Sequence, residues 1–220
     1  MLTSLSTAEL TAYVSAQIDA LLPDGRSIDS TALRTHVERA LERTERCFAR
    51  VRIKNFTRDG QPCFSHLHTD QYAMFLYLLS NAVYRAGGDP ALASKVYALN
   101  KALHGIDAFY EVELPEMFFF QHPVGTVLGR AVYGNYFVVY QRCSTGSNLD
   151  GAAPVIGEGT VMFGGSSLIG RCTVGANACF SVGTLVMDAD VPADSLVFGQ
   201  PPGNVFKPSS RRASDLVFIR

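Results

Sequence analysis

The sequence predicts an α+β chain, in which a helical N-terminal half is followed by a parallel β-helix of six-residue repeats. Two observations support this prediction. Residues 1–108 place apolar side chains at helical spacing and flank them with helix caps. From about Met117 charged residues become rare, glycines and β-branched residues become frequent, and one stretch repeats every six residues.

The composition of the 220-residue chain is typical of a globular protein. Apolar residues make up 47% of it and the formal net charge is −1, which predicts a substantial core and gives no electrostatic reason for a nucleic-acid partner. There is no run of about 18 uncharged apolar residues, so no membrane span is expected. The charged residues Glu9 and Asp19 interrupt the first apolar stretch, whereas a signal peptide has an apolar core without charges. We therefore expect a cytoplasmic location, with the five cysteines reduced and structural.

The first two helices are predicted from a capping box and from apolar periodicity. Ser6 and Glu9 have the spacing of a capping box, in which each side chain satisfies a free backbone N–H group. A second helix is expected to open after Ser30. The apolar faces predicted to point inward are Leu10, Val14, Ile18, Leu21 and Leu22, then Leu33, Val37, Ala40, Leu41 and Cys47.

Two further helices follow. Thr69 is the predicted cap of a third helix that runs to about Arg85, and apolar residues on nearly every side of it predict burial on more than one face. For a fourth helix, Asp89 is the predicted N-cap, Pro90 the first helical residue and Gly105 the C-terminal stop.

The six-residue repeat defines two columns in the second half. One column holds a large apolar residue in every repeat: Ile156, Met162, Leu168, Val174, Phe180 and Val186. The other holds a small residue: Thr160, Ser166, Cys172, Ala178 and Thr184. Stacked coils of short parallel strands bury such a column continuously, with small residues at tight corners. The pattern extends back less regularly through Val127, Tyr133, Val139 and Thr145. Residues 146–151 are predicted to form a loop that interrupts the repeat.

Three motifs lie between about residue 121 and residue 208: His122-Pro123, the stretch VIGEG at 155–159, and the closing turn at 190–202. With these motifs the chain resembles the hexapeptide-repeat acyltransferases, specifically their serine O-acetyltransferase branch. The resemblance implies a left-handed parallel β-helix that assembles into a homotrimer, or into a pair of trimers, with an acetyl-CoA groove between neighbouring prisms. The expected domains are a helical domain at 1–116, the β-helix at 117–208 and a C-terminal tail at 209–220.

The resemblance also implies the chemistry. In such enzymes a histidine is the general base for the acceptor hydroxyl, and backbone amides bind the developing oxyanion. Serine acetyltransferases carry an Asp-His pair about two coils after the His-Pro motif, where this chain has Gly134 and Asn135. An Arg-His pair further on is replaced by Ala152-Ala153. We therefore expect an acceptor other than serine, such as a small alcohol or a sugar.

His122 is the candidate general base, because it begins the coil and no histidine follows it. The alternative is a hydrogen-bonded turn histidine before a proline. Asn135 is the candidate group that orients the substrate or contacts the oxyanion, and the alternative is a turn residue that tolerates positive φ. A polar cluster at 66–70, HLHTD, places two histidines on one face if it is extended. Its alternative is a helix-entry loop with Thr69 or Asp70 as the cap.

Small residues of the coil are candidate contacts for acetyl-CoA, since its pantetheine arm can lie against exposed backbone amides in this family. They are Gly164, Gly165, Ser166, Ser181 and Gly183. Lys207 and Arg211 follow the closing turn and are placed to meet the phosphates of the coenzyme. The alternatives are ordinary corner residues and a solvated basic tail. No metal is expected, because the coils lack the histidines that a zinc site would need.

Three functional hypotheses follow. The leading one is an acetyl-CoA-dependent O-acetyltransferase that acts on a small alcohol or sugar. The second is a non-catalytic, degenerate acetyltransferase homologue that acts as a binding or assembly protein. The third is a serine O-acetyltransferase with a rearranged site.

Overall fold

A computed structural model describes residues 1–26 and 28–220 of the chain. The four predicted helices are present, with bounds α1 Thr7–Leu21, α2 Ser30–Phe48, α3 Thr69–Arg85 and α4 Pro90–His104. Short 3-10 helices lie at Lys54–Phe56 and Ala213–Leu216. Of the helices in the described ranges, none is both long and apolar enough to cross a bilayer.

The predicted ends of α1 and α4 are confirmed. The Ser6 side chain accepts from the Glu9 backbone N–H, and the Glu9 carboxylate accepts from Ser6, which completes the capping box. Asp89 caps α4 by accepting from Ala91, and Gly105 ends it in the left-handed conformation with φ of +64°.

The starts of α2 and α3 differ by one residue from the prediction. Asp29 caps α2, because its carboxylate accepts from the Thr31 and Ala32 amides. His68 occupies the N-cap position of α3 and its side chain makes no capping hydrogen bond, so Thr69 is the first helical residue and not the cap. The predicted faces are otherwise buried, except that Leu22 and Leu41 are only partly buried and Leu21 is 50% exposed at the end of α1.

The central helix is α3, which is buried along almost its whole length as its broad apolar pattern predicts. It packs against α2 and α4. His104 ends α4 at its C-terminus, a position where a positive charge interacts favourably with the helix dipole. The imidazole is instead buried beside Asn100, at 2.8 Å from its Oδ1, and burial lowers the pKa of His104 to about 4.

We expect this histidine to make the fold sensitive to acid. An unfolded histidine binds its proton near pH 6.5, whereas the folded His104 has a pKa of about 4. The unfolded state therefore holds more protons between these values, and the free energy of unfolding should fall as the pH drops from 6.5 towards 4. Urea denaturation of the wild type and of His104→Gln at pH 7.5 and 5 measures this. Equal pH dependence in the two proteins would show that His104 is not responsible.

In residues 1–26 and 28–220, seventeen short strands complete the fold. A small sheet beside the helices has the order β1-β3-β2, with β1 Leu2–Thr3, β2 Thr57–Arg58 and β3 Gln61–Phe64. The remaining strands form three faces of a parallel solenoid of about five turns. Face 1 runs β17-β16-β14-β11-β8-β5, face 2 runs β15-β12-β9-β6-β4, and face 3 runs β13-β10-β7.

The strand bounds follow the six-residue register. Face 1 contains β5 Phe118–Phe120, β8 Phe137–Val139, β11 Val161–Met162, β14 Cys179–Phe180, β16 Ser195–Phe198 and the antiparallel β17 Val205–Pro208. Face 2 contains β4 Asp107–Ala108, β6 Val127–Leu128, β9 Ser144–Gly146, β12 Ser167–Ile169 and β15 Leu185–Met187. Face 3 contains β7 Val132–Tyr133, β10 Val155–Ile156 and β13 Thr173–Val174.

Both predicted columns lie inside the solenoid. The large column from Ile156 to Val186 is at most 3% exposed, and the small column from Thr160 to Thr184 is at most 2% exposed. The prediction fails at Val127, which is 43% exposed, while its neighbour Leu128 is 1% exposed and points inward. The reason is that Leu128 and Tyr133, which are buried on successive faces of the coil, are only five residues apart. The segment that joins these two faces is therefore one residue shorter than the six-residue repeat.

Glycines that follow the large column permit close stacking of the coils. A Cβ on Gly134 would lie 2.5 Å from the backbone nitrogen of Glu158, and one on Gly157 would lie 2.6 Å from the carbonyl oxygen of Val174. On Gly175 it would lie 2.4 Å from the backbone nitrogen of Ala193. These contacts are with backbone, which cannot move aside, so the positions require glycine.

The last segment, 209–220, packs against the fold. Val51 and Phe218 form a β-bridge, and the Phe218 ring lies 5.4 Å from that of Tyr136. The Arg220 guanidinium is 3.0 Å from the Glu158 carboxylate and lies over Tyr136. Strand pairing of the coil begins with β4 at Asp107, ahead of the expected domain boundary at 117, since β4 pairs with β6.

Candidate active site along one edge of the coil

The turns between face 1 and face 2 stack into one edge, which we call the His122 edge. It comprises residues 121–125, 141–142, 164–165 and 181–183. The turns are joined by backbone hydrogen bonds, from Arg142 to Val124 at 3.0 Å and from Gly165 to Gln141 at 2.9 Å. A third, from Gly183 to Gly164, measures 3.1 Å. Since neighbouring strands lie about 4.8 Å apart, the turn at 164–165 lies about 10 Å from the level of His122. The candidate base and the candidate coenzyme residues thus share one edge.

His122 stands at the start of this edge in an unusual backbone conformation. Its φ is +50°, in the left-handed region that residues other than glycine adopt only rarely. Its side chain is 73% exposed, with Nδ1 3.4 Å from Oδ2 of Asp70. The amide nitrogen of Gln121 lies 2.9 Å from Nε2. If that amide donates to Nε2, the imidazole carries its proton on Nδ1, which faces the carboxylate.

Asp70 reaches this edge from the helical half of the chain. It lies in the first turn of α3, and its side chain is only 4% exposed. Sequence reasoning identifies Asp70 only as a member of the cluster at 66–70 and an alternative cap. It misses the contact with His122, because nothing in the local pattern around either residue indicates that the two meet.

The two histidines of that cluster have different partners. His66 Nδ1 is 2.8 Å from the Ser4 hydroxyl, and its ring packs edge-on against Tyr13. The His68 ring packs against Phe56, and its Nδ1 is buried without a hydrogen-bond partner in the part of the chain that the structure describes. Of this cluster, it is Asp70 that contacts the candidate base.

Asn135 lies at the other side of face 1, in the turn from face 3 that precedes β8. Its Oδ1 accepts a hydrogen bond from the Met117 backbone N–H at 2.8 Å, and its carbonyl accepts from Gly159. The structure therefore does not bring Asn135 next to His122 within one chain. Its proposed role in orienting substrate stays a prediction that would use the Nδ2 donor.

Of the candidate coenzyme residues, Gly164, Gly165, Ser181 and Gly183 occupy the His122 edge, but the amides of this row are largely engaged. The N–H groups of Gly165, Ser166, Ser181 and Gly183 all donate to carbonyls of the coil. The Ser166 side chain is fully buried and points inward. A Cβ on Gly164 would lie 2.7 Å from Nε2 of Gln141, so that side chain covers it. The edge thus offers a surface of small residues and not a row of free amide donors.

An open cleft of about 640 Å³ lies between face 1 and the segment 209–216. Phe163, which directly precedes Gly164, lines its floor. Three arginines also line it: Arg52, Arg211 and Arg212. Arg52 comes from the link after α2 and is missed by sequence reasoning, because it is far from the coil in the chain. Lys207 lies on β17 with its ammonium 5.6 Å from the centre of the Phe198 ring.

The thiols of the coil do not contribute to this edge as nucleophiles. Cys172 and Cys179 are buried, and burial raises the pKa of the Cys179 thiol to about 11. Across residues 1–26 and 28–220, no group of three or more His, Cys, Asp or Glu side chains is arranged to hold a metal ion.

Known proteins similar to this chain are serine acetyltransferases. Serine acetyltransferase 2 of Arabidopsis thaliana is 29% identical over 154 residues, which cover 66% of this chain and 47% of the relative. The serine acetyltransferase of Staphylococcus xylosus is 25% identical over 145 residues, covering 64% and 66%. The chain thus spans between about half and two thirds of the length of these curated relatives. No protein-family model matches it.

Solved structures show the same fold. The serine acetyltransferase of Neisseria gonorrhoeae superposes with a TM-score of 0.70 at 19% identity, covering 96% of this chain and 82% of that one. The enzyme of Vibrio cholerae gives a TM-score of 0.69 at 20% identity, covering 93% and 81%. The predicted arrangement, four helices followed by a parallel solenoid, is therefore confirmed, while its left-handed sense stays a prediction.

Proposed function

We propose that the chain belongs to the hexapeptide-repeat acyltransferase family, as a relative of the serine acetyltransferases, and that it transfers an acetyl group from acetyl-CoA to a hydroxyl of a small acceptor. The single observation that carries the proposal is the His122 edge. An exposed imidazole and a row of small residues share one edge of the coil, and an arginine-lined cleft over face 1 meets this edge at Phe163.

In the proposed reaction Nε2 of His122 takes the proton of the acceptor hydroxyl. The acceptor oxygen then attacks the thioester carbonyl and forms a tetrahedral intermediate. When the intermediate collapses, the C–S bond breaks, the ester remains on the acceptor, and the sulfur leaves with the proton that the imidazolium returns. General-base assistance of this kind contributes about 10²–10⁴-fold in rate.

The arginine-lined cleft fits the phosphates of the coenzyme. Guanidinium groups bind phosphate through paired hydrogen bonds, and Arg52, Arg211 and Arg212 present three of them in one cleft. The arm that joins phosphates and thioester would then lie on the small residues near Gly164 and reach back towards His122. Because the amides of that row already donate to carbonyls of the coil, the arm would be held there by van der Waals contacts and not by hydrogen bonds to those amides.

We infer that the acceptor is a small alcohol or sugar other than serine. This finer statement rests on the sequence, in which Gly134 and Asn135 stand where the family carries its Asp-His pair. Serine-dependent release of thiol from acetyl-CoA would overturn it and would favour a serine acetyltransferase with a rearranged site.

A homotrimer formed through the coil is the expected assembly, with a pair of trimers as the alternative. Face 3 supports this proposal, because Val132 and Val155 lie side by side on its outer surface and are 62% and 49% exposed. Exposed β-branched side chains in register form an apolar stripe that a second copy can cover. Sedimentation velocity gives the mass, which Val132→Asp with Val155→Asp should reduce to that of one chain.

The second candidate function is a non-catalytic binding or assembly protein, and the substitutions at Gly134 and Asn135 favour it. Coenzyme binding separates the two candidates. We expect CoA at about 100 times its Kd to stabilise the fold by about 2.7 kcal/mol, which corresponds to a rise in Tm of roughly 5–10 °C for a chain of this size.

The paired variant Arg211→Ala with Arg212→Ala should lose most of this rise, because it removes two of the cleft's three guanidinium groups. Arg39→Ala, in α2 and far from the cleft, is the matched control and should keep the full rise. The same scan with a phosphate-free pantetheine tests whether the phosphates are what the cleft binds. No rise with CoA in the wild type would support the non-catalytic candidate.

A further inference from the structure

We propose that Asp70 is a positioning residue for His122, which it orients and holds in the tautomer that leaves Nε2 free to accept a proton. This inference rests on the proposed function, since it concerns the base of that reaction. It assigns to the helical half of the chain a direct part in the chemistry of the coil.

The surroundings of Asp70 favour this role. Its side chain is 4% exposed, and a carboxylate that is removed from water needs a compensating partner. Within the described ranges, Asp70 has one ion-pair contact, in which its Oδ2 lies 3.4 Å from Nδ1 of His122. The buried carboxylate therefore faces an imidazole that is itself 73% exposed.

The contact determines which nitrogen of His122 faces the solvent. A carboxylate accepts hydrogen bonds and cannot donate them, so we infer that Nδ1, which lies 3.4 Å from Oδ2 of Asp70, carries the proton. Nε2 then carries the lone pair on the side away from Asp70, where the Gln121 amide nitrogen lies 2.9 Å from it, so an acceptor hydroxyl has to take the place of that amide. A base that is held in one tautomer by a carboxylate on its far side has the arrangement that acyl-transfer sites use on unrelated folds.

A purely structural role for Asp70 makes a different prediction. A carboxylate in the first turn of α3 interacts favourably with the helix dipole, and its loss would then lower the Tm without changing the tautomer of His122. The experiment therefore has to observe His122 itself and not only the Tm.

The test compares the wild type with the isosteric variant Asp70→Asn. Nitrogen-15 spectra of the imidazole at pH 8 report the tautomer of His122 with no substrate present, and His122→Asn identifies its signal. We expect the wild type to show the tautomer protonated on Nδ1, and Asp70→Asn to lose this preference. Acetyl transfer is then measured with a hydroxyl acceptor, and we expect kcat to fall roughly 10²–10⁴-fold while the KM for acetyl-CoA stays unchanged.

Asp89→Asn is the matched control, because it removes a carboxylate at the start of the next helix, away from His122. It should leave both the tautomer and kcat unchanged. A wild type protonated on Nε2, or a tautomer preference that survives in Asp70→Asn, would overturn the inference whether or not the protein transfers acetyl groups. A changed tautomer with an unchanged kcat would overturn the positioning role and leave the proposed function standing. A wild type without transfer would overturn the proposed function, and with it the role of Asp70 in that reaction.

Discussion

Replacing His122 by asparagine is expected to abolish acetyl transfer while the protein stays folded and still binds CoA. Asparagine tolerates the positive φ of this position, so the backbone of the first turn is kept, but its amide cannot take a proton at neutral pH. Loss of a general base costs about 10²–10⁴-fold in rate. Release of CoA thiol in the presence of a hydroxyl acceptor measures the rate, and the thermal shift with CoA reports binding.

His66→Asn is the matched control for this prediction. It makes the same substitution at a histidine that contacts Ser4 and Tyr13, so transfer should remain at the wild-type rate. If His122→Asn retained the wild-type rate, another group would have to be the base. If it lost the CoA-dependent rise in Tm as well, the side chain would belong to the coenzyme site instead.

Truncation of Phe180 to alanine is expected to be among the most destabilising changes in the coil. The ring is fully buried in the large column between Met162 and the strand that contains Val197. Removing a buried phenylalanine leaves a cavity and costs about 3–5 kcal/mol. At roughly 2–4 °C per kcal/mol for a chain of this size, Tm should fall by about 6–20 °C.

Val182→Ala is the control, because Val182 is only two residues away but is 71% exposed. Its effect should stay within about 0.5 kcal/mol in urea denaturation. Equal losses of stability for the two variants would contradict the assignment of inward and outward positions in the coil.

The sequence predicts the coil well because its spacing follows from the geometry of stacked turns. A large side chain fits once per strand in the interior, so every sixth residue from Ile156 has to be apolar, and the column is recognisable without the structure. The same logic places Gly157 and Gly175, where a side chain would collide with the next coil. It fails at Val127, because the segment from Leu128 to Tyr133 is one residue shorter than the repeat and places Leu128 inside the coil instead. Since Val127 and Leu128 are both apolar, the sequence does not distinguish the two registers.

The helices are predicted from local signals, and the errors are local too. Caps at Ser6 and Asp89 depend on hydrogen bonds within one turn and are found where the sequence places them. At the start of α3 the sequence offers Thr69 as the cap. The structure places His68 there because the chain enters the helix one residue earlier, with the Gln71 side chain accepting from Ser65.

The site is only half predictable, because it combines residues that are distant in the chain. His122 and the small residues of the edge are found from the sequence, through its resemblance to the hexapeptide-repeat acyltransferases. The contact of His122 with Asp70, and the place of Arg52 beside Arg211, depend on how the helical half and the last segment pack against the coil. Ser166 shows the converse error. Its small size marks it for the surface row and for the interior column alike, and it lies in the interior.

One measurement tests the central claim, that the His122 edge is a site of acetyl transfer, most directly. Wild-type protein and His122→Asn are each incubated with acetyl-CoA and a panel of hydroxyl acceptors that includes sugars, small alcohols and serine, and the products are analysed by mass spectrometry. We predict that the wild type gives an acceptor heavier by one acetyl group together with an equal amount of CoA, and that His122→Asn gives neither above background. Equal product from both proteins, or none from the wild type with any acceptor, would contradict the claim.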